Sequence, residues 1–67
     1  MKSEVLFGAN AGKVWNALKS GGIMSAESLS KTTKLKLLDV FGALGWLGRE
    51  GKIEIVSENS GMKFKLI

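Results

Sequence analysis

The sequence contains no cysteine and no histidine. These two absences together remove disulfides, thiol nucleophiles, imidazole general bases and the usual zinc ligand sets. Nucleophile–base pairs that depend on either residue cannot be assembled. The carboxylates Glu4, Glu27, Asp39, Glu50, Glu54 and Glu58 are scattered, each near a Lys or Arg, and read as solvated surface charge. Nine glycines form neither a Walker-type loop nor a GxGxxG fingerprint. No catalytic residue, metal, cofactor or small-molecule substrate is expected, and the chain reads as a binding module and not an enzyme.

Long apolar runs are also missing. The longest uncharged stretch, Val40 to Gly48, has nine residues, against roughly twenty needed to cross a bilayer. At the N-terminus a lysine is followed by Ser3, Glu4 and only the short apolar stretch Val5–Phe7, which is no secretory core. The expectation is a cytoplasmic protein with no membrane partner. The lack of cysteine leaves the redox compartment open.

What is present fits one small folded domain over residues 1–67, with 45% hydrophobic and 24% charged residues. At this size roughly 60% of the unfolded surface is buried, so stability is marginal without a staple or a partner. Ten basic residues against six acidic ones give a net charge of +4. That balance is compatible with a nucleic-acid partner without requiring one.

Ala11, Val14, Trp15 and Leu18 recur at i, i+3, i+4, i+7, one face of a helix. Phe7 extends this stripe toward a start near Ser3, whereas Gly8, Gly12 and the potential N-cap Asn10 favour a later start. Gly21 is placed to close the helix. After a short extended piece at Ile23–Met24, Ser25 reads as the N-cap of a second helix over about residues 26–33, with Glu27 in its first turn. Lys34-Leu35-Lys36 forms a turn. A third helix runs from about Lys36 to Glu50 and is closed by Gly51. Its face of Leu37, Val40, Phe41, Leu44 and Leu47 opposes Leu38, Asp39, Gly42, Gly45, Trp46 and Arg49.

Ile53 and Ile55, then Phe64 and Leu66, alternate with charged residues around Asn59-Ser60-Gly61, the pattern of a hairpin. Glu54 falls opposite the Lys63/Lys65 pair. The order helix, short strand, helix, turn, helix, hairpin is an α+β winged helix-turn-helix, three helices with a short strand and a C-terminal two-stranded wing. The expected core is Val14, Leu18, Ile23, Leu29, Leu35, Phe41, Leu44, Leu47, Ile53, Ile55, Phe64 and Leu66.

Ala11-Gly12-Lys13-Val14-Trp15 and Gly45-Trp46-Leu47-Gly48-Arg49-Glu50, followed by Lys52-Ile53, resemble a winged helix-turn-helix domain family of uncharacterised function. Its members are short stand-alone archaeal and bacterial proteins. The similarity spans roughly Asn10 to Ile55, and the GWLxRE-type hexapeptide is its most specific part. The resemblance implies the fold and a DNA-binding domain, with no established site residues; the chain is accordingly expected to be a DNA-binding or transcription-associated module.

Two partners follow from the residues. Double-stranded DNA would meet Lys31, Lys34 and Lys36 around the turn and Lys63 and Lys65 on the wing, through sequence-independent phosphate contacts, with Arg49 a further candidate. The outward positions of the third helix, Asp39, Gly42, Ala43 and Trp46, offer little for reading base edges. The wing tip, Ser57 to Gly61, lacks Arg and Lys. The alternative is a protein interface, including a homodimer, on Leu38, Gly42, Gly45, Trp46 and Arg49. Gly42, Gly45 and Gly48 cost the helix about 3 kcal/mol together relative to alanine. On the wheel Gly48 points at the core, while Gly42 and Gly45 flank Trp46 as a shallow slot; Trp46 either anchors a partner there or folds back on Val5–Phe7.

Overall fold

Ala11, Val14, Ala17 and Leu18 line one face of a helix and all four are buried. The computed structural model describes residues 3–58 and 61–67, with side chains at residues 8–57 and 61–67. The helix, α1, runs over Ser3–Gly21, so the earlier of the two starts is correct. Asn10 does not cap it. It sits inside the helix and is buried, and the helix passes through Gly8 and Gly12, where an added Cβ would meet nothing within 4 Å. The left-handed residue that closes α1 is Gly22 (φ 80°), one later than Gly21, and its N–H donates to the Leu18 carbonyl at 2.8 Å. Gly21 makes room for a side chain: a Cβ there would lie 2.5 Å from Met24 Sδ, so the methionine would have to shift.

The second helix, α2, spans Ala26–Thr33. Its N-cap is Ser25, in extended conformation, whose Oγ accepts from the Ser28 N–H at 3.1 Å. The third, α3, spans Leu37–Arg49. It ends in a Schellman arrangement: Gly51 N–H donates to the Gly48 carbonyl and Lys52 N–H to the Leu47 carbonyl, both at 3.0 Å, with Gly51 at φ 70°.

Strands β1 (Met24–Ser25), β2 (Ile53–Glu58) and β3 (Gly61–Leu66) form an antiparallel sheet in the order β1-β3-β2. The short strand expected before α2 therefore pairs with the hairpin as the third strand of one sheet. The register places Ile53 opposite Leu66, Glu54 opposite Lys65, Ile55 opposite Phe64, and Met24 opposite Phe64 on the other side. Residues Asn59 and Ser60 of the expected turn lie outside the described residues.

One cluster of buried side chains joins α1, α2, α3 and the sheet, with Val14, Leu18, Leu29 and Val40 its largest fully enclosed members. Five expected core residues are not in it: Ile23, Phe41 and Ile55 are exposed, while Leu35 and Leu66 are half-buried and pack against it. For Phe41 the reason is the rotation of α3. Alanines at 11, 17 and 43 allow α1 and α3 to pack closely, so α3 buries Val40, Ala43, Leu44 and Leu47. Phe41 is turned to the flank beside the sheet. Ile55 faces the helices but stands on the edge strand, where it stays 59% exposed.

Candidate nucleic-acid interface

Side-chain hydroxyls hold the turn between α2 and α3. Ser30 Oγ donates to the Leu35 carbonyl at 2.6 Å. Thr33 Oγ1 donates to the Leu29 carbonyl at 2.6 Å and accepts from the Leu35 N–H at 3.3 Å. Within this brace Lys34 has φ 61°, the one non-glycine residue at positive φ among the described residues. A side chain with a Cβ in that conformation costs about 1 kcal/mol relative to glycine.

The turn spaces three lysines. Lys31 stands in the last turn of α2, Lys34 is its C-cap, and Lys36 is the N-cap of α3. All three are exposed, and none forms an ion pair among the described residues. Lys36 offers no side-chain cap to α3, so the positive end of that helix dipole adds to the lysine charge. A chain of three cations beside a helix N-terminus is suited to phosphate.

Lys63 and Lys65 belong to a separate group. The register puts both on the sheet face opposite to Phe64, and both are half-buried. Lys65 Nζ lies 3.1 Å from Glu54 Oε1, so its charge is partly used within the hairpin. Arg49 is exposed in the last turn of α3, where a cation is favourable.

The outward positions of α3 differ from expectation. Ala43 is fully buried and unavailable to any ligand. Leu38 is 81% exposed, Gly45 and Arg49 are exposed, and Asp39, Gly42 and Trp46 are half-buried. Trp46 packs against the core. Gly48 faces outward and not the core, and a Cβ at Gly45 or Gly48 would meet nothing within 4 Å. These two glycines answer no packing need among the described residues.

They border a feature that the sequence reading missed, an open groove of about 530 Å3 between α3 and the hairpin, lined chiefly by Phe41, Gly45, Gly48, Ile55, Met62 and Phe64. Its signal in the sequence was the run Phe41, Gly45, Gly48 on one flank of the helix. Among the described residues no cluster of acidic side chains could hold a metal ion, and no helix is long and apolar enough to cross a membrane.

Three helices followed by a hairpin, with α2 and α3 joined by a tight turn, define a winged helix-turn-helix. The chain belongs to the winged helix-turn-helix domain family DUF2582, whose model matches residues 1–66. It is similar to protein BT2368 from Bacteroides thetaiotaomicron, known from a solution NMR structure, at 36% identity and a TM-score of 0.86, covering 97% of this chain and 79% of that one. Comparison with curated proteins gives no match.

Proposed function

We propose that this winged helix-turn-helix domain is a non-enzymatic, cytoplasmic DNA-binding module that grips the phosphate backbone of double-stranded DNA without reading bases. The observation that carries this reading is the set of lysines 31, 34 and 36 on the turn at the N-terminus of α3, exposed and without an ion pair among the described residues. Lys63 and Lys65 form a second, weaker basic group. The exposed flank of α3 presents Leu37, Leu38 and Phe41, which carry no donor or acceptor for a base edge. Affinity is then electrostatic, with Kd on the order of 10⁻⁴ to 10⁻⁶ M at physiological salt.

Three phosphate contacts give a slope of roughly −3 for log K against log salt. Fluorescence anisotropy with duplexes of unrelated sequence tests this. Equal affinities and that slope support the reading; a strong preference for one duplex, or no binding at low salt, contradicts it.

A further inference from the structure

We infer that two copies of this chain associate through the free edge of β2, forming a six-stranded sheet about a twofold axis at Ile55. This does not depend on DNA binding. Ile67 N–H donates to the Lys52 carbonyl at 3.1 Å, so Lys52 and Ile67 are a hydrogen-bonded pair. Alternation along the antiparallel ladder makes Glu54/Lys65 and Val56/Lys63 hydrogen-bonded pairs as well. The backbone N–H and C=O groups of Ile53, Ile55 and Ser57 therefore point away from β3, off the outer edge of the sheet. The strand is six residues long, and an edge of that length is a ready template for another strand.

Charge selects the occupant and the register. With a second copy antiparallel and centred on Ile55, Ile53 lies opposite Ser57 of the second copy, Glu54 opposite Val56, and Lys52 opposite Glu58. Centring one residue earlier sets Glu54 against itself. Centring one later sets Glu54 against Glu58. Centring on Ile53 or Ser57 leaves most of the strand unpaired. Of these registers only the one centred on Ile55 pairs residues 53–57 with the same five residues of the second copy and sets no like charges opposite each other. Lys52 is free to serve, since its contact to Glu50 is long, 3.8 Å, and solvent-exposed.

The same register covers the apolar groove. On the helix side it creates a continuous row of Phe64, Ile55, and the second copy's Ile55 and Phe64. That row lies beside Phe41 and Met62, both exposed in the single chain. Gly45 and Gly48 keep the α3 side of this space open, which supplies a reason for their presence that packing among the described residues does not.

Sedimentation equilibrium and amide hydrogen exchange on the full chain test the inference. A dimer is expected, with the Ile53, Ile55 and Ser57 amides gaining protection as concentration rises. Ile55→Asp, at an exposed position, is expected to weaken association roughly tenfold or more. Lys52→Glu alone is expected to weaken it, and Lys52→Glu with Glu58→Lys to restore it. A chain that stays monomeric at millimolar concentration overturns the inference and leaves the edge to a strand of another protein. So does a dimer whose β2 amides exchange freely, or one indifferent to both the Ile55 change and the charge swap.

Discussion

Ile55 and Phe64 face each other across β2 and β3, yet Phe64 is 5% exposed and Ile55 59%. The two residues share one face of one sheet and differ only in strand. Phe64 is on the central strand, with β1 on its far side and the helices above. Ile55 is on the edge, over the open groove. An apolar residue with strand alternation is thus buried or bare according to its neighbour in the sheet, which the alternation itself does not encode.

Lys34 separates stability from binding. Its left-handed backbone is easier for glycine, so Lys34→Gly is expected to raise stability by about 0.5–1 kcal/mol. The same change removes one cation from the proposed phosphate site and is expected to reduce the salt slope by about 1. Urea denaturation and a salt titration of duplex affinity read the two effects. Loss of stability would contradict the backbone argument.

Gly12 lies on an exposed part of α1 where an added Cβ meets nothing. Gly12→Ala is therefore expected to stabilise the domain by up to about 1 kcal/mol. Thermal unfolding would show it as a higher Tm, and a lower Tm would mean that the space beside α1 is used.

Ser25 joins β1 to α2 and caps the helix. Ser25→Ala is expected to cost about 1 kcal/mol, while Ser25→Asp, which keeps an acceptor for the Ser28 N–H, retains most of the stability. Chemical denaturation of the pair checks whether the 3.1 Å cap bond accounts for the loss.

Trp46 is half-buried against the core. Trp46→Ala is expected to lower stability by about 2 kcal/mol, from lost packing. Calorimetry at several protein concentrations distinguishes this from an interface role, because loss of packing lowers Tm equally at all of them.

Much of the fold was legible because local signals agreed. Ser25 and Gly51 mark helix ends by chemistry that acts within a few residues, and the alternation of Ile53, Ile55, Phe64 and Leu66 marks the hairpin. The start of α1 was not legible from Gly8, Gly12 and Asn10, because tertiary packing of Ala11, Val14 and Leu18 outweighs weak local preferences. The face of α3 was read one position off. Phe41 and Ala43 compete for the core, and hydrophobicity favours phenylalanine, while the close approach of α1 selects the alanine. Lysines 31, 34 and 36 were legible as a group because they lie close along the chain. Of the groove only the helix flank, Phe41, Gly45 and Gly48, is marked in the sequence; its other wall, Ile55 and Met62, depends on the rotation of α3 and on β2 being the sheet's edge.

The most direct test of DNA binding follows the amides of isotope-labelled protein during titration with a mixed-sequence duplex, at low and then physiological salt. Shifts concentrated at residues 31–36, with smaller ones at 63–65, are expected, and they should weaken as salt rises. A spectrum unchanged at low salt, or shifts confined to the groove at Phe41 and Ile55, would contradict the proposal.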